Sequence, residues 1–310
     1  MTVRWNAKPT LRRPVLVAAF SGWNDAADAA SDGVRWLARS VGARVFATLD
    51  TEEYLDFQAA RPTVELVDGV IREIQWPALA FSAGSTNGTG RDLVLLLGVE
   101  PNLRWPTFCD DVISVARATG CEMVVTLGAL LGDVPHSRPM RCTGSATDEV
   151  LAARLGMERS RYEGPTGIVG VLHDAARRVG FASASIWAPV PHYVATAPNP
   201  KATLALLNRL GDLLDVGFEL TDLEIAATAW ERSVDEVVAG DADASSYVER
   251  LEHRYDEAAD ESPDADELPT KAFGETDADA DEDWLDEDDL PSGESLAEDF
   301  ERYLREQGDE

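Results

Sequence analysis

The chain has 310 residues, in which 57 Asp and Glu stand against 27 Lys and Arg, for a formal net charge of −30. The cations never gather into a basic run, which argues against nucleic acid, because a polyanion is held by clustered Lys and Arg. No apolar stretch is long enough to span a bilayer and residues 1–13 lack the apolar core of a secretory leader, so the sequence reads as a cytoplasmic protein without a membrane partner.

From the N-terminus, the apolar run 15–20 lies between Pro14 and the turn Ser21-Gly22-Trp23-Asn24. Asp25 then opens a segment with Ala26, Ala30, Val34 and Leu37 at helical spacing, which makes a β-turn-α unit. Strands are predicted over 45–49 and 93–99, with a β-rich stretch at 64–74 between them. The small polar run Ser85-Thr86-Asn87-Gly88-Thr89-Gly90 reads as a hairpin turn. A helix over 107–118 is stopped by Gly120, a buried strand follows over 123–127, and a short helix over 147–155. Another helix, 166–179, is closed by Gly180, and 182–187 is a further strand. Asn199 and Pro200 supply a cap and a first-turn proline for a long helix to 214. Fully apolar strands alternating with amphipathic helices predict an α/β class fold over residues 1–216: three layers, α/β/α, with a mostly parallel sheet covered on both faces.

After Gly217 the pattern is all helical. Thr221 and Glu224 fit a capping box, and Leu223, Ala227, Trp230, Val234 and Val237 mark one apolar stripe. Gly240 breaks it, and Tyr247, Val248, Leu251 and Tyr255 mark a second. This predicts a helical hairpin over 217–255, either packed on the α/β body or free to face a partner. Residues 256–310 hold 24 Asp and Glu but only three Lys and Arg. Such a stretch buries too little apolar surface to offset its chain entropy, so a largely disordered acidic tail is expected. Within it, Ser295 and Glu298 fit another capping box, and Leu296, Phe300, Tyr303 and Leu304 would share one face of a helix over 295–307. These four are candidate partner-binding residues, in a segment that folds on a partner or docks back on its own domain.

Candidate ligand positions lie where strands end. Gly22, Asn24 and Asp25 stand between a strand and a helix, where backbone N–H groups favour an anion. Lysine and repeated glycines at phosphate-binding spacing are missing, and Asp25 also reads as a helix cap. Asp133, His136 and Arg138 follow the strand at 123, and Glu163, Thr166, His192 and Tyr193 fall at similar places, where sites gather in α/β sheets. They line a ligand pocket or simply pin loops. No nucleophile elbow and no His and carboxylate set at metal-ligand spacing are present, so no catalytic residue, metal or cofactor is assigned. Cys109, Cys121 and Cys142 match no zinc or redox spacing and read as packed thiols.

Several segments together resemble the bacterial branch of the proteasome assembly chaperone 2 family. They are Phe20-Ser-Gly-Trp-Asn-Asp-Ala, Leu103-Arg-Trp-Pro, Gly128-Ala-Leu-Leu-Gly-Asp-Val-Pro-His-Ser-Arg-Pro, Tyr162-Glu-Gly-Pro-Thr-Gly-Ile-Val-Gly-Val-Leu, and Pro189-Val-Pro-His-Tyr-Val followed by Pro198-Asn-Pro-Lys-Ala. The resemblance covers residues 14–215 and implies a nucleoside phosphorylase-like α/β/α body that self-associates, often as trimers. It also implies assembly or escort of proteasomes or similar complexes, with proteasome subunits as protein partners. Some relatives dock on proteasome rings through a terminal hydrophobic-Tyr-any tripeptide, whereas this chain ends Gly308-Asp309-Glu310. A second class of function stays open, because relatives are sometimes labelled ATP-dependent carboxylate-amine ligases. An enzyme of that kind, or a phosphorylase-like one, would gather Asn24, Asp133, His136, Arg138 and His192 around one nucleotide or nucleoside, with Arg138 gripping phosphate or carboxylate through two bonds.

Overall fold

Strand β2 (Val15–Ser21) is apolar at every position before its final serine and buried along that length, as a strand in the middle of a doubly covered sheet must be. The computed structural model describes residues 2–67, 71–86, 90–147, 151–153, 164–195 and 198–261. Its other strands are β1 (Val3–Trp5), β3 (Arg44–Leu49), β4 (Thr63–Val67), β5 (Ile71–Gln75), β6 (Leu79–Ser85), β7 (Asp92–Val99), β8 (Met123–Gly132), β9 (Thr143–Ala146) and β10 (Ala182–Pro191). Eight of them form one sheet in the order β1-β3-β6-β7-β2-β8-β10-β9, and β4 and β5 pair separately. Strands β7, β2, β8 and β10 are parallel neighbours. β3 points the same way, being antiparallel to β6, which is antiparallel to β7. Only β1, β6 and β9 run against this direction, so the sheet is mostly parallel, as expected.

Side chains alternate across a strand, and here each face has its own core. Val15, Val17 and Ala19 join Leu93, Leu95, Val125 and Leu127 under helices α1 (Ala29–Ser40) and, from later in the chain, Pro200–Leu214. Leu16, Ala18 and Phe20 face the single turn α2 (Thr51–Tyr54), α3 (Trp105–Ala118) and α4 (Ile168–Arg178). Phe20 and Tyr54 both meet Phe108 edge-on, with ring centroids 5.6 and 5.3 Å away. Burial of one such side chain stabilises the fold by about 1.5–3 kcal/mol. Cys109, Cys121 and Cys142 are buried in these layers, as expected, and burial pushes the Cys109 and Cys121 thiols up to about 12 and about 11.

The helix Pro200–Leu214 is α5, and Asn199 caps it by accepting from the Ala202 N–H at 3.0 Å. Helices α6 (Thr221–Ala239) and α7 (Ala242–Glu261) form the predicted hairpin. α6 lies along α5, α7 folds back on α6, and a small third cluster of Tyr193, Val194, Val234, Val248 and Leu251 joins the hairpin to the body. No helix among the described residues is long and apolar enough to cross a membrane.

Several local expectations are corrected. α1 starts at Ala29 rather than Asp25, because Ala27 and Asp28 adopt left-handed backbone, with φ of 50° and 57°, and break the first turn. The Thr221–Glu224 capping box does not form, since Leu220 occupies the cap position and the Thr221 hydroxyl donates to Glu219. β8 and β10 run past residues 127 and 187 to Gly132 and Pro191. β9 pairs only with residues 184–187 of β10, so among the described residues Pro189 and Pro191 have no strand on that side and need no N–H donor there. The helix over 147–155 falls mostly outside the described residues, and the segment with Leu296, Phe300, Tyr303 and Leu304 falls wholly outside them.

Candidate functional site

At the carboxyl ends of β2 and β7 the chain fills its own anion sites. After Ser21 the backbone turns through Gly22, whose φ of 133° suits only glycine, and the Asp25 N–H donates back to the Gly22 carbonyl. Asn24 bridges to β8, because its carbonyl accepts from the Ala129 N–H at 2.8 Å. Asp25 Oδ1 accepts from the Ala30 and Ser31 N–H groups at 2.8 and 3.0 Å, so the first turn of α1 holds the chain's own carboxylate. Burial nevertheless raises the Asp25 carboxyl above its ordinary range. The first N–H of α4 is filled in the same way: Glu100 Oε1 accepts from Ile168 N–H at 2.9 Å and from Asn24 Nδ2 at 2.5 Å. Gly167 leaves room for Asn24, since a Cβ there would lie 2.3 Å from the Asn24 amide.

The second cluster sits beyond the ends of β8 and β10, under the hairpin. His136 is 1% exposed. The Tyr193 hydroxyl accepts from the His136 backbone N–H at 2.9 Å and lies 2.8 Å from His136 Nδ1, while Nε2 lies 3.0 Å from Asp235 of α6. The Asp235 carboxylate can only accept, so Nε2 carries its hydrogen, and in a neutral ring Nδ1 then accepts from the Tyr193 hydroxyl. That pattern fits a neutral imidazole, and burial lowers the His136 pKa in agreement. Around it, Ser137 donates to Glu252 of α7, and Arg138 forks onto Asp256 at 2.9 and 2.8 Å with Glu252 a further 3.3 Å contact. His192 Nε2 lies 3.2 Å from the Tyr247 hydroxyl of α7 in a hydrogen bond, and its Nδ1 stands 3.2 Å from Asp133 Oδ1. Lys201, in the first turn of α5, donates to the His136 carbonyl and to Glu231 of α6, both at 2.5 Å. The Tyr255 hydroxyl donates to the Pro139 carbonyl at 2.8 Å.

The residues expected around one ligand, Asn24, Asp133, His136, Arg138 and His192, fall into two hydrogen-bonded groups. Asn24 and Asp25 hold the β2 turn, whereas Asp133, His136, Arg138, His192 and Tyr193 meet one another and the hairpin. Arg138's fork, expected on a phosphate or carboxylate ligand, grips Asp256 instead. Beside Gly22 and Asn24, the Ala30 and Ser31 N–H groups are already taken by Asp25. Thr166 is exposed ahead of α4, and Glu163 lies outside the described residues. Glu100, Lys201, Asp235, Glu252 and Asp256 are participants that the sequence did not single out. Glu100 alone carried a signal, as the first residue beyond a predicted strand.

A PAC2 family model matches residues 19–238. A PAC2 family protein from Streptomyces avermitilis is 50% identical with a TM-score of 0.71, covering 76% of this chain and 99% of its own. A Mycobacterium tuberculosis proteasome-assembly chaperone homologue is also 50% identical, with a TM-score of 0.70 and the same coverage of 76% and 99%. A second M. tuberculosis protein, of unknown function, is 26% identical with a TM-score of 0.77, over 83% of this chain and 92% of its own. No curated protein matches the chain.

Proposed function

The chain belongs to the PAC2 family, and from that premise we propose that it is a non-catalytic assembly chaperone that works through protein–protein contacts. The observation that carries this reading is the state of the strand ends. Two of the helix N-termini near there, those of α1 and α4, take carboxylates of the chain itself, Asp25 and Glu100. The groups that would grip a phosphate or carboxylate, Arg138 and His136 above all, hold α6 and α7 in place. A nucleotide at the β2 turn would have to displace the buried, hydrogen-bonded Asp25 carboxylate, which costs about 1–3 kcal/mol and more for a charged group. A protein partner needs only surface.

The relative described as a proteasome-assembly chaperone homologue points to proteasome subunits as the partner class. The same reading takes the chain as a cytoplasmic homo-oligomer, a trimer by family resemblance. The test mixes the purified protein with separately expressed proteasome α- and β-subunits from its own cell and follows intermediates by native mass spectrometry. A complex with free subunits that is absent from the finished particle, together with faster assembly, is the expected result. Absence of any complex and an unchanged assembly rate refute the partner. A melting temperature raised by ATP or a nucleoside refutes the non-catalytic reading separately, because a ligand that binds only the native state must stabilise it.

A further inference from the structure

The β4–β5 hairpin is the one described β-structure that stands outside the main sheet. Its register sets Val64 opposite Ile74 and Leu66 opposite Arg72. Since side chains alternate across a strand, these four share one face, and Trp76 continues it. Val64, Leu66, Ile74 and Trp76 are 57%, 64%, 56% and 57% exposed. The other face is polar over its first two pairs, Thr63 opposite Gln75 and Glu65 opposite Glu73, and ends with Val67 opposite Ile71. A lone two-stranded hairpin is marginal in water, and an apolar face left open on one marks a docking surface.

We propose that this face is the docking site for residues 295–307 of the same molecule, so that the acidic tail masks it. Three observations select this occupant. The chain supplies one matching apolar element beyond α7, the stripe of Leu296, Phe300, Tyr303 and Leu304. At 3.6 residues per turn, Asp299 and Glu306 would border that stripe on one side and Glu301 on the other, with Arg302 and Arg305 at the back. The acidic borders complement Arg72, the single charge on the apolar face of the hairpin, whereas a second copy of the same face related by a two-fold axis would bring arginine towards arginine.

Geometry allows it. Leu79, which opens β6 just after the hairpin, pairs with Gly98 near the end of β7, so the hairpin leaves the sheet at the carboxyl end of the parallel strands. α7 packs on the loops after β8 and β10 at that same end. From β6 to β8 is three strand spacings, about 14 Å. The stretch 262–294 can extend to about 110 Å, so the chain has far more reach than the path requires.

The experiment compares amide exchange of β4 and β5 in the full chain, in a chain ending at residue 261, and in the full chain with Phe300→Ala and Leu304→Ala, at high and low protein concentration. Docking nine-tenths of the time slows exchange about tenfold. We expect that protection in the full chain at both concentrations and its loss in both variants, with Leu66→Glu and Ile74→Glu in the full chain releasing the tail from protease protection. Equal exchange rates in all three chains overturn the proposal. Protection that fades on dilution also overturns it, because the occupant would then be another molecule. None of these readouts depends on proteasome subunits, so the inference can fail while the chaperone reading stands.

Discussion

Replacing Tyr193 by Phe removes one oxygen from the middle of the cluster under the hairpin. Tyr193 is 4% exposed and His136 1%, so water cannot take over. The hydroxyl accepts from the His136 N–H at 2.9 Å and donates to Nδ1 at 2.8 Å, so Tyr193→Phe leaves a buried donor and a buried acceptor unpaired. Removing one partner of a buried hydrogen bond costs about 1–3 kcal/mol. The two orphans share one residue and can relax together, so the loss should lie in that range rather than at twice it. For a folded body of this size each kcal/mol lowers the melting temperature by about 2–4 °C. Losing the Nδ1 donor also frees the ring to change tautomer, so the nitrogen shifts of His136 should move while those of His173 stay. Thermal unfolding and nitrogen-resolved NMR of the histidines are the assays. A variant as stable as the parent, with His136 unmoved, would show that the hydroxyl is not the pin described here.

The remaining predictions concern the same two clusters. His136 titrates below its ordinary value of 6.5 because it is buried, so the unfolded chain binds the extra proton first; stability should hold above about pH 6.5 and fall as pH drops below it. His173, half-buried and held low by that burial and by Arg177, adds to the slope, and His136→Gln should flatten it only in part, as read from melting temperature against pH. Leu251→Ala should cost about 2–5 kcal/mol and hasten protease cleavage within α6 and α7 before the sheet opens, since Leu251 is 1% exposed in the cluster that joins the hairpin to the body. Gly167→Ala drives a methyl to 2.3 Å from the Asn24 amide and should cost about 1–3 kcal/mol in chemical unfolding. Equal unfolding midpoints for Gly167→Ala and the parent would mean that Asn24 can move aside.

The legible parts of the sequence were those decided by local physics. β2, β7 and β8 announce themselves because both of their faces are buried, and Asn199-Pro200 marks a helix start on chemistry alone. β6 and β9 escaped because Leu-Ala-Phe-Ser-Ala-Gly-Ser and Thr-Gly-Ser-Ala carry little strand preference and are strands only by virtue of their neighbours. At the candidate site the residue types were legible but not their partners. His136 meets Asp235 across 99 positions and Arg138 meets Asp256 across 118, separations no local pattern reports. A strand-end histidine and arginine look alike whether they await a ligand or a helix.

What the structure adds is an order of stability. The sheet is held by two large cores, whereas the hairpin meets the body through Leu223 at the end of one of them, a small cluster of Tyr193 and Val194 with Val234, Val248 and Leu251, and a ring of polar bonds. Several of those bonds are at least half exposed on one side, with Asp235 at 55% and Asp256 at 54%, where water and salt compete with them. Local opening follows such differences, so the hairpin should open well before the sheet does. Opening would bare residues 133–139 and 192–194, whose polar groups the hairpin otherwise satisfies. A partner that binds there must favour the open state by more than the hairpin favours the closed one, which sets a floor on its affinity. The polar latch therefore makes this end of the molecule the place where a protein partner and the chain's own helices would compete.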